Sequence, residues 1–219
     1  MFIPGVFVTP VPGAPFSGTV EILSKQPLPD GSVFTRRTIN HIARNSAGVI
    51  RNERRRLEPP GFEGEPRLMS SHIFDPQTRL NTFLNPETHL AHQMVLPEPP
   101  HAPENSTPET IVAPENAQNL RTQDLGTQTV AGLTLHGTRK LRTVPASLSG
   151  TGKEVTITDD YWYSDDLKVY LVLKHSDPRT GEQIVGIVKS ERKEPDAALF
   201  QIPAGYKVVD ETPVKIVTK

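Results

Sequence analysis

The chain has 219 residues, with 24 Lys+Arg against 25 Asp+Glu, 35% apolar residues, 22 Pro, 15 Gly and no Cys. That length suits one sizeable domain or two small ones, and a net charge of −1 lacks the cation surplus that a polyanion requires, which argues against nucleic acid as a partner. The absence of Cys excludes disulfide scaffolds, thiolate metal sites, Fe–S clusters and cysteine nucleophiles.

In chain order, residues 1–15 read as an extended segment in which Phe2, Val6 and Val8 alternate with Pro at 4, 10, 12 and 15. This stretch is apolar but has no cationic leader region, so either the protein is not secreted or its signal peptide is missing from this sequence. From residue 16 the pattern is β: short runs rich in Val, Ile, Thr and Tyr separated by turn residues, with no three-turn helical periodicity. Residues 18–25 and 33–44 form a hairpin about Pro29-Asp30-Gly31-Ser32, where Gly accepts positive φ without Cβ strain. Asn45-Ser46-Ala47-Gly48 turns the chain into a third strand, 49–56. After a Pro/Gly/Glu-rich loop, strands follow at 70–75, 79–85 and 89–96. Their two joints share the form Asx-Pro-x-Thr, in which Asx bonds the following backbone and Pro presets φ.

Residues 97–118, with six Pro, four Glu and no Lys or Arg, read as a linker or surface strap. Strands then resume at 120–125, 127–130, 133–144, 155–163, 167–175 and 183–192, with a helical turn near 195–200. In 167–174 apolar residues lie on both faces, so the core is placed in this C-terminal half. The expected organisation is a 1–15 extension and one β domain over 16–209, made of an N-terminal meander 16–96, the strap 97–118 and a C-terminal sheet 119–209, followed by a 210–219 tail. The fold class is all-β: a curved antiparallel sheet or half-barrel of about 10–12 strands with very little helix. No stretch approaches the roughly 20 apolar residues of a membrane-spanning helix, so no transmembrane segment is predicted.

Catalytic signatures are scarce. Asp159-Asp160 and Asp165-Asp166 form carboxylate doublets, but adjacent strand residues point to opposite faces and read as turn residues or solvated strand ends. His89 and His92 have an offset that suits a helix and not a strand, and the hydrolase and phosphate-loop motifs are incomplete, so no catalytic residue, metal or cofactor is assigned. The dense cationic run Arg51, Arg54, Arg55 and Arg56, near Arg36, Arg37 and Arg44, reads as a solvated sheet face paired with Glu53 or Glu21, the alternative being an anion-docking patch. The aromatic group Tyr161, Trp162, Tyr163 and Tyr170, with Phe200 and Tyr206, suits the inner lining of a curved sheet that holds an acyl chain, and equally an ordinary core.

Several phrases carry a family resemblance: Pro12-Gly13-Ala14-Pro15-Phe16-Ser17-Gly18-Thr19, Ile42-Ala43-Arg44-Asn45-Ser46-Ala47-Gly48, Tyr161-Trp162-Tyr163-Ser164-Asp165-Asp166-Leu167 and His175-Ser176-Asp177-Pro178-Arg179-Thr180-Gly181-Glu182. These resemble a group of uncharacterised bacterial envelope proteins. The closing Pro195-Asp196-Ala197-Ala198-Leu199-Phe200-Gln201-Ile202-Pro203-Ala204-Gly205-Tyr206 is similar to domains related to the lipoprotein-carrier superfamily, whose fold is a curved sheet cradling lipid. The resemblance implies a periplasmic or extracellular location, a removed signal peptide and a non-enzymatic role. Two expectations follow. In the first, the protein is a cell-envelope module holding a lipid or other apolar ligand through Tyr161, Trp162, Tyr163, Tyr170, Phe200 and Tyr206. In the second, it is a structural homo-oligomer whose Phe2, Val6 and Val8 add as a strand to a neighbour. A hydrolase using Asp159 or Asp160 is the remaining, enzymatic alternative.

Overall fold

The computed structural model describes residues 8–98, 119–130 and 132–213. The strands are β1 (Phe16–Pro27), β2 (Val33–Arg44), β3 (Ile50–Arg55), β4 (Leu68–Phe74), β5 (Leu80–Asn85), β6 (Leu90–Val95), β7 (Leu120–Val130), β8 (Leu133–Val144), β9 (Val155–Ser164), β10 (Val169–Asp177), β11 (Gly181–Glu191) and β12 (Lys207–Asp210). A four-residue helix, α1 (Ala146–Ser149), and a 3₁₀ turn (Ala197–Phe200) are the helical elements among the described residues. All twelve strands join one curved sheet in the order β12-β6-β5-β4-β3-β2-β1-β11-β10-β9-β8-β7.

Local chemistry sets the turns. Asp30 Oδ1 accepts from the Ser32 amide at 2.9 Å and the Ser32 hydroxyl at 2.6 Å, closing the first hairpin. The two Asx-Pro-x-Thr joints fold alike: Asp75 Oδ1 accepts from Gln77 N at 2.8 Å and Asn85 Oδ1 from Glu87 N at 2.9 Å. In both, the fifth residue takes a left-handed conformation, Arg79 at φ 59° and His89 at φ 53°. The two strands predicted at 120–125 and 127–130 are one strand, β7, interrupted by a register shift between Asp124 and Gly126.

The order of the strands moves the core. β1 pairs with β2 on one side and β11 on the other, so the N-terminal hairpin sits in the middle of the sheet. The main apolar cluster accordingly draws Phe16, Val20, Ile22, Ile42 and Ile50 from the first half and Leu135, Val169, Leu171, Leu173 and Val185 from the second. This corrects the expectation of a core confined to the C-terminal half. Nearly all of these residues come from one sheet, with no second layer among the described residues. Phe16, Val20 and Val185 are each 0% exposed, and Val8, Leu57 and Leu167 from segments outside the strands pack into the same cluster. A smaller cluster of Ile73, Leu84 and Ala91 is roofed by Ile202 and Tyr206 from the segment leading to β12. That last strand, not anticipated from the sequence, pairs parallel with β6.

Candidate ligand-binding face

The six aromatic residues singled out by the sequence do not form one site. Tyr161 and Tyr163 are on the same face of β9, and Tyr170 of β10 meets both edge-on, with ring centroids 5.8 Å and 5.1 Å away. Tyr170 is 43% exposed. Lys140 Nζ stands 5.3 Å from the centre of the Tyr161 ring. Burial pushes the Tyr161 phenol above its ordinary value, and the Asp159 carboxylate and Tyr170 add to the rise.

Trp162 alternates to the opposite face and lies on Gly137, its partner on β8. A Cβ at position 137 would come within 2.6 Å of the indole, so the ring occupies the space that any other residue's side chain would need. Phe200 closes the 3₁₀ turn, and Tyr206 packs on the Ile73/Leu84/Ala91 cluster, its ring 5.5 Å from that of His89. Both belong to the other half of the sheet. The pairing of strands, invisible in single-chain patterning, decides this separation.

The tyrosine face continues across the sheet. The registers align Thr138 with Tyr161, Tyr161 with Leu173, Leu173 with Val185, Val185 with Ile22, and Ile22 with Thr38, so these six residues make one row on one face. The row ends at a gap between β2 and β3. Those strands are laddered only from Ile42 to Arg44, opposite Asn52 to Ile50. The chain rejoins β2 at an isolated bridge, where Arg37 N donates to Glu58 O at 2.9 Å and Glu58 N to Arg37 O at 2.8 Å. Between the two points Asn40 Oδ1 accepts from Arg55 N at 2.9 Å, and a groove of about 500 Å³ opens, with Ile22, Phe34, Leu57 and Met69 among its walls.

The arginines split into different roles, which corrects the uniform solvated-face expectation. Arg44 is 0% exposed and donates to three backbone carbonyls: Ala14 at 2.9 Å, Thr9 at 2.8 Å and Leu167. Its guanidinium also lies 5.0 Å from the centre of the Phe16 ring. Desolvation pulls its pKa below the ordinary arginine value, which ionised Tyr163 would oppose. Arg51 and Arg55 both pair with Glu53, at 3.4 Å and 2.8 Å, along β3 itself and not across strands as expected. Arg37 pairs with Glu21 at 3.8 Å.

The Asp doublets are also divided. Asp159 Oδ1 lies 2.6 Å from Nδ1 of His175, a residue whose Nε2 is buried with no hydrogen-bond partner among the described residues. Asp160 accepts a two-pronged contact from Arg139, at 2.6 Å and 2.8 Å, and is only 8% exposed, so it is a buried ion-pair member and not a solvated strand end. The two carboxylates sit on opposite faces and do not form an acid–base pair. Among the described residues, no three His, Asp or Glu side chains come together as a metal site. None of the described helices is long and apolar enough to cross a membrane.

Of the assembly residues, Phe2 and Val6 lie outside the described part of the chain. Val8 is 2% exposed and belongs to the main core cluster of its own chain. The neighbouring Thr9 carbonyl accepts from Arg44 Nη1 at 2.8 Å.

No protein-family model matches the sequence, and no curated protein matches it. Among solved structures, the chain is similar to an uncharacterized conserved protein from Thermus thermophilus, at 10% identity over 90% of this chain and 91% of that one, with a TM-score of 0.46. It is also similar to a chain of the Pseudomonas aeruginosa MucA/MucB complex, at 13% identity over 89% of this chain and 58% of that one, with a TM-score of 0.46. A LolA superfamily protein from Nitrosomonas europaea is similar at 12% identity over 87% and 91% of the two chains, with a TM-score of 0.34.

Proposed function

We propose that this protein is a non-enzymatic cell-envelope binding module that holds an apolar or amphipathic ligand against one face of its curved sheet. The observation that carries the reading is the group of Tyr161, Tyr163 and Tyr170, gathered on one face and left partly open. Three aromatic rings, with Tyr170 meeting the other two, make a broad apolar surface with polar tips, which suits a ligand that is oily along its length and wet at its edge. The face needs no directed polar groups to hold such a ligand, because transfer of apolar area from water supplies the free energy. The doublet carboxylates, one ion-paired and the other bonded to a histidine, favour binding over hydrolysis as the role of this region. The envelope location rests on the resemblance of the sequence phrases to those of bacterial envelope proteins.

The test is titration of the protein with an environment-sensitive apolar dye, with displacement by dodecanol, in the wild type and in Y161A/Y170A. Losing about 60 Å² of apolar contact is worth about 1.5 kcal/mol, so the double variant is expected to bind about tenfold more weakly. Unchanged affinity in a variant with wild-type circular dichroism would overturn the placement of the ligand on this face.

A further inference from the structure

The gap between β2 and β3 joins two features that seldom coincide. Its apolar walls are open to solvent: Phe34 is 41% exposed and Met69 50%, large side chains that a folded protein usually covers. Its charge is one-sided: Arg36, Arg54, Arg55 and Arg56 line it and no carboxylate does. Arg55 is held by Glu53, and Arg56 by Glu58 at 3.5 Å. The Arg54 side chain has no hydrogen bond or ion pair among the described residues. Among the described residues, the Arg36 guanidinium has only the Phe34 ring, 5.5 Å from its carbon. The groove thus carries two cations without counter-charge among the described residues, beside an exposed apolar wall, and its volume of about 500 Å³ falls within the roughly 300–1,000 Å³ of sites that take small ligands.

We infer that this groove binds the anionic head of a single-chain amphiphile, with Arg36 and Arg54 pairing the head group and Phe34, Leu57 and Met69 covering the adjoining methylenes. The inference rests on the ligand-holding reading above and adds to it a head-group class and a second location. Guanidinium forks match the planar oxygens of a carboxylate and the tetrahedral oxygens of a phosphate ester alike, and the alkyl stem of an arginine packs on apolar neighbours while its head stays wet. An acidic peptide would match the charge but leave Phe34 and Met69 uncovered, so the apolar wall favours the amphiphile.

The experiment is calorimetric titration of the full chain with dodecanoate, dodecyl phosphate and dodecanol, each below its micelle concentration, in the wild type, R36Q/R54Q and Y161A/Y170A. The expected result is tighter binding of both anions than of dodecanol by the wild type. In R36Q/R54Q both anions should weaken about tenfold with dodecanol unchanged, and the anion affinity should lose most of its salt dependence. Equal affinity of the wild type for dodecanoate and dodecanol, with dodecanol still sensitive to Y161A/Y170A, overturns the inference and leaves the ligand-holding reading intact. Absence of binding by all three amphiphiles overturns both. Acetate or inorganic phosphate binding as tightly as the dodecyl anions also overturns the inference, since the apolar wall would then contribute nothing.

Discussion

Replacing Arg44 tests how the segment before β1 and the β9–β10 turn are held to the sheet. Its side chain lies wholly buried with no carboxylate partner among the described residues, and its donors reach Thr9 and Ala14 on the segment before β1 and Leu167 in the β9–β10 turn. One side chain on β2 therefore ties together three stretches of chain that no strand ladder connects. Each charge-assisted bond contributes about 1.5 kcal/mol net, so the three sum to about 4–5 kcal/mol. Methionine fills much of the same volume and removes the cost of desolvating the cation, which returns a part of that and leaves an expected loss of about 3 kcal/mol for R44M. R44K keeps the charge but cannot fork to three acceptors, and about 2 kcal/mol is expected. Urea unfolding followed by circular dichroism measures both, and the thermal midpoint of R44M should fall by about 6–12 °C for a chain of this size. Limited proteolysis should cut the segment around Val8 faster in R44M than in the wild type, because that segment loses its bonds. A stability change under about 1 kcal/mol, with unchanged proteolysis, would refute the reasoning that Arg44 is a structural tie.

Two further outcomes are open to measurement. The sequence has a single Trp, so G137A, which drives a methyl into the Trp162 ring, should cost about 1–3 kcal/mol and shift the fluorescence emission to the red; superimposable spectra would disprove the close packing. The Arg179 guanidinium, bonded to Asp177 at 2.7 Å and 3.0 Å, holds that carboxyl below its ordinary value of 3.8. Its contribution is complete above the unfolded value and fades as pH falls through the lower folded one. D177N should therefore lose about 1–2 kcal/mol at neutral pH and show a flatter decline of stability below pH ~4 than the wild type. A parallel decline in the two proteins would exclude the pair as a contributor to acid sensitivity.

The strands themselves were legible from local chemistry. Val33–Arg44 and Leu133–Val144 match the expected bounds, and the Asx-Pro-x-Thr joints fold as alike as their sequences suggest. Pairing was not legible, because side-chain alternation says nothing about which strand lies alongside. That β1 neighbours β11 determines where the core lies. The β10 irregularity between Tyr170 and Val172 leaves Tyr170 facing both Tyr161 and Tyr163. Trp162, between two members of the tyrosine group in sequence, lies behind them in space. β12 escaped notice because four residues, Lys-Val-Val-Asp, offer too short a pattern to separate from a tail. Arg44 escaped because charge alone predicts exposure, and only the convergence of Thr9, Ala14 and Leu167 carbonyls makes burial tolerable.

The parallel strand β12 has a bearing on how the molecule is made. β6 is finished at its outer side by residues that follow it much later, as in the bond from Val95 N to Thr212 Oγ1 across 117 positions, and the Ile202 and Tyr206 side chains that roof the Ile73/Leu84/Ala91 cluster arrive equally late. On the ribosome, β4 to β6 emerge with one margin unpaired and one hydrophobic surface bare, and they stay so until residues 202–212 have been synthesised. Such a chain folds slowly because its closing contacts are so distant in sequence, and during synthesis it is exposed to misassociation at that margin.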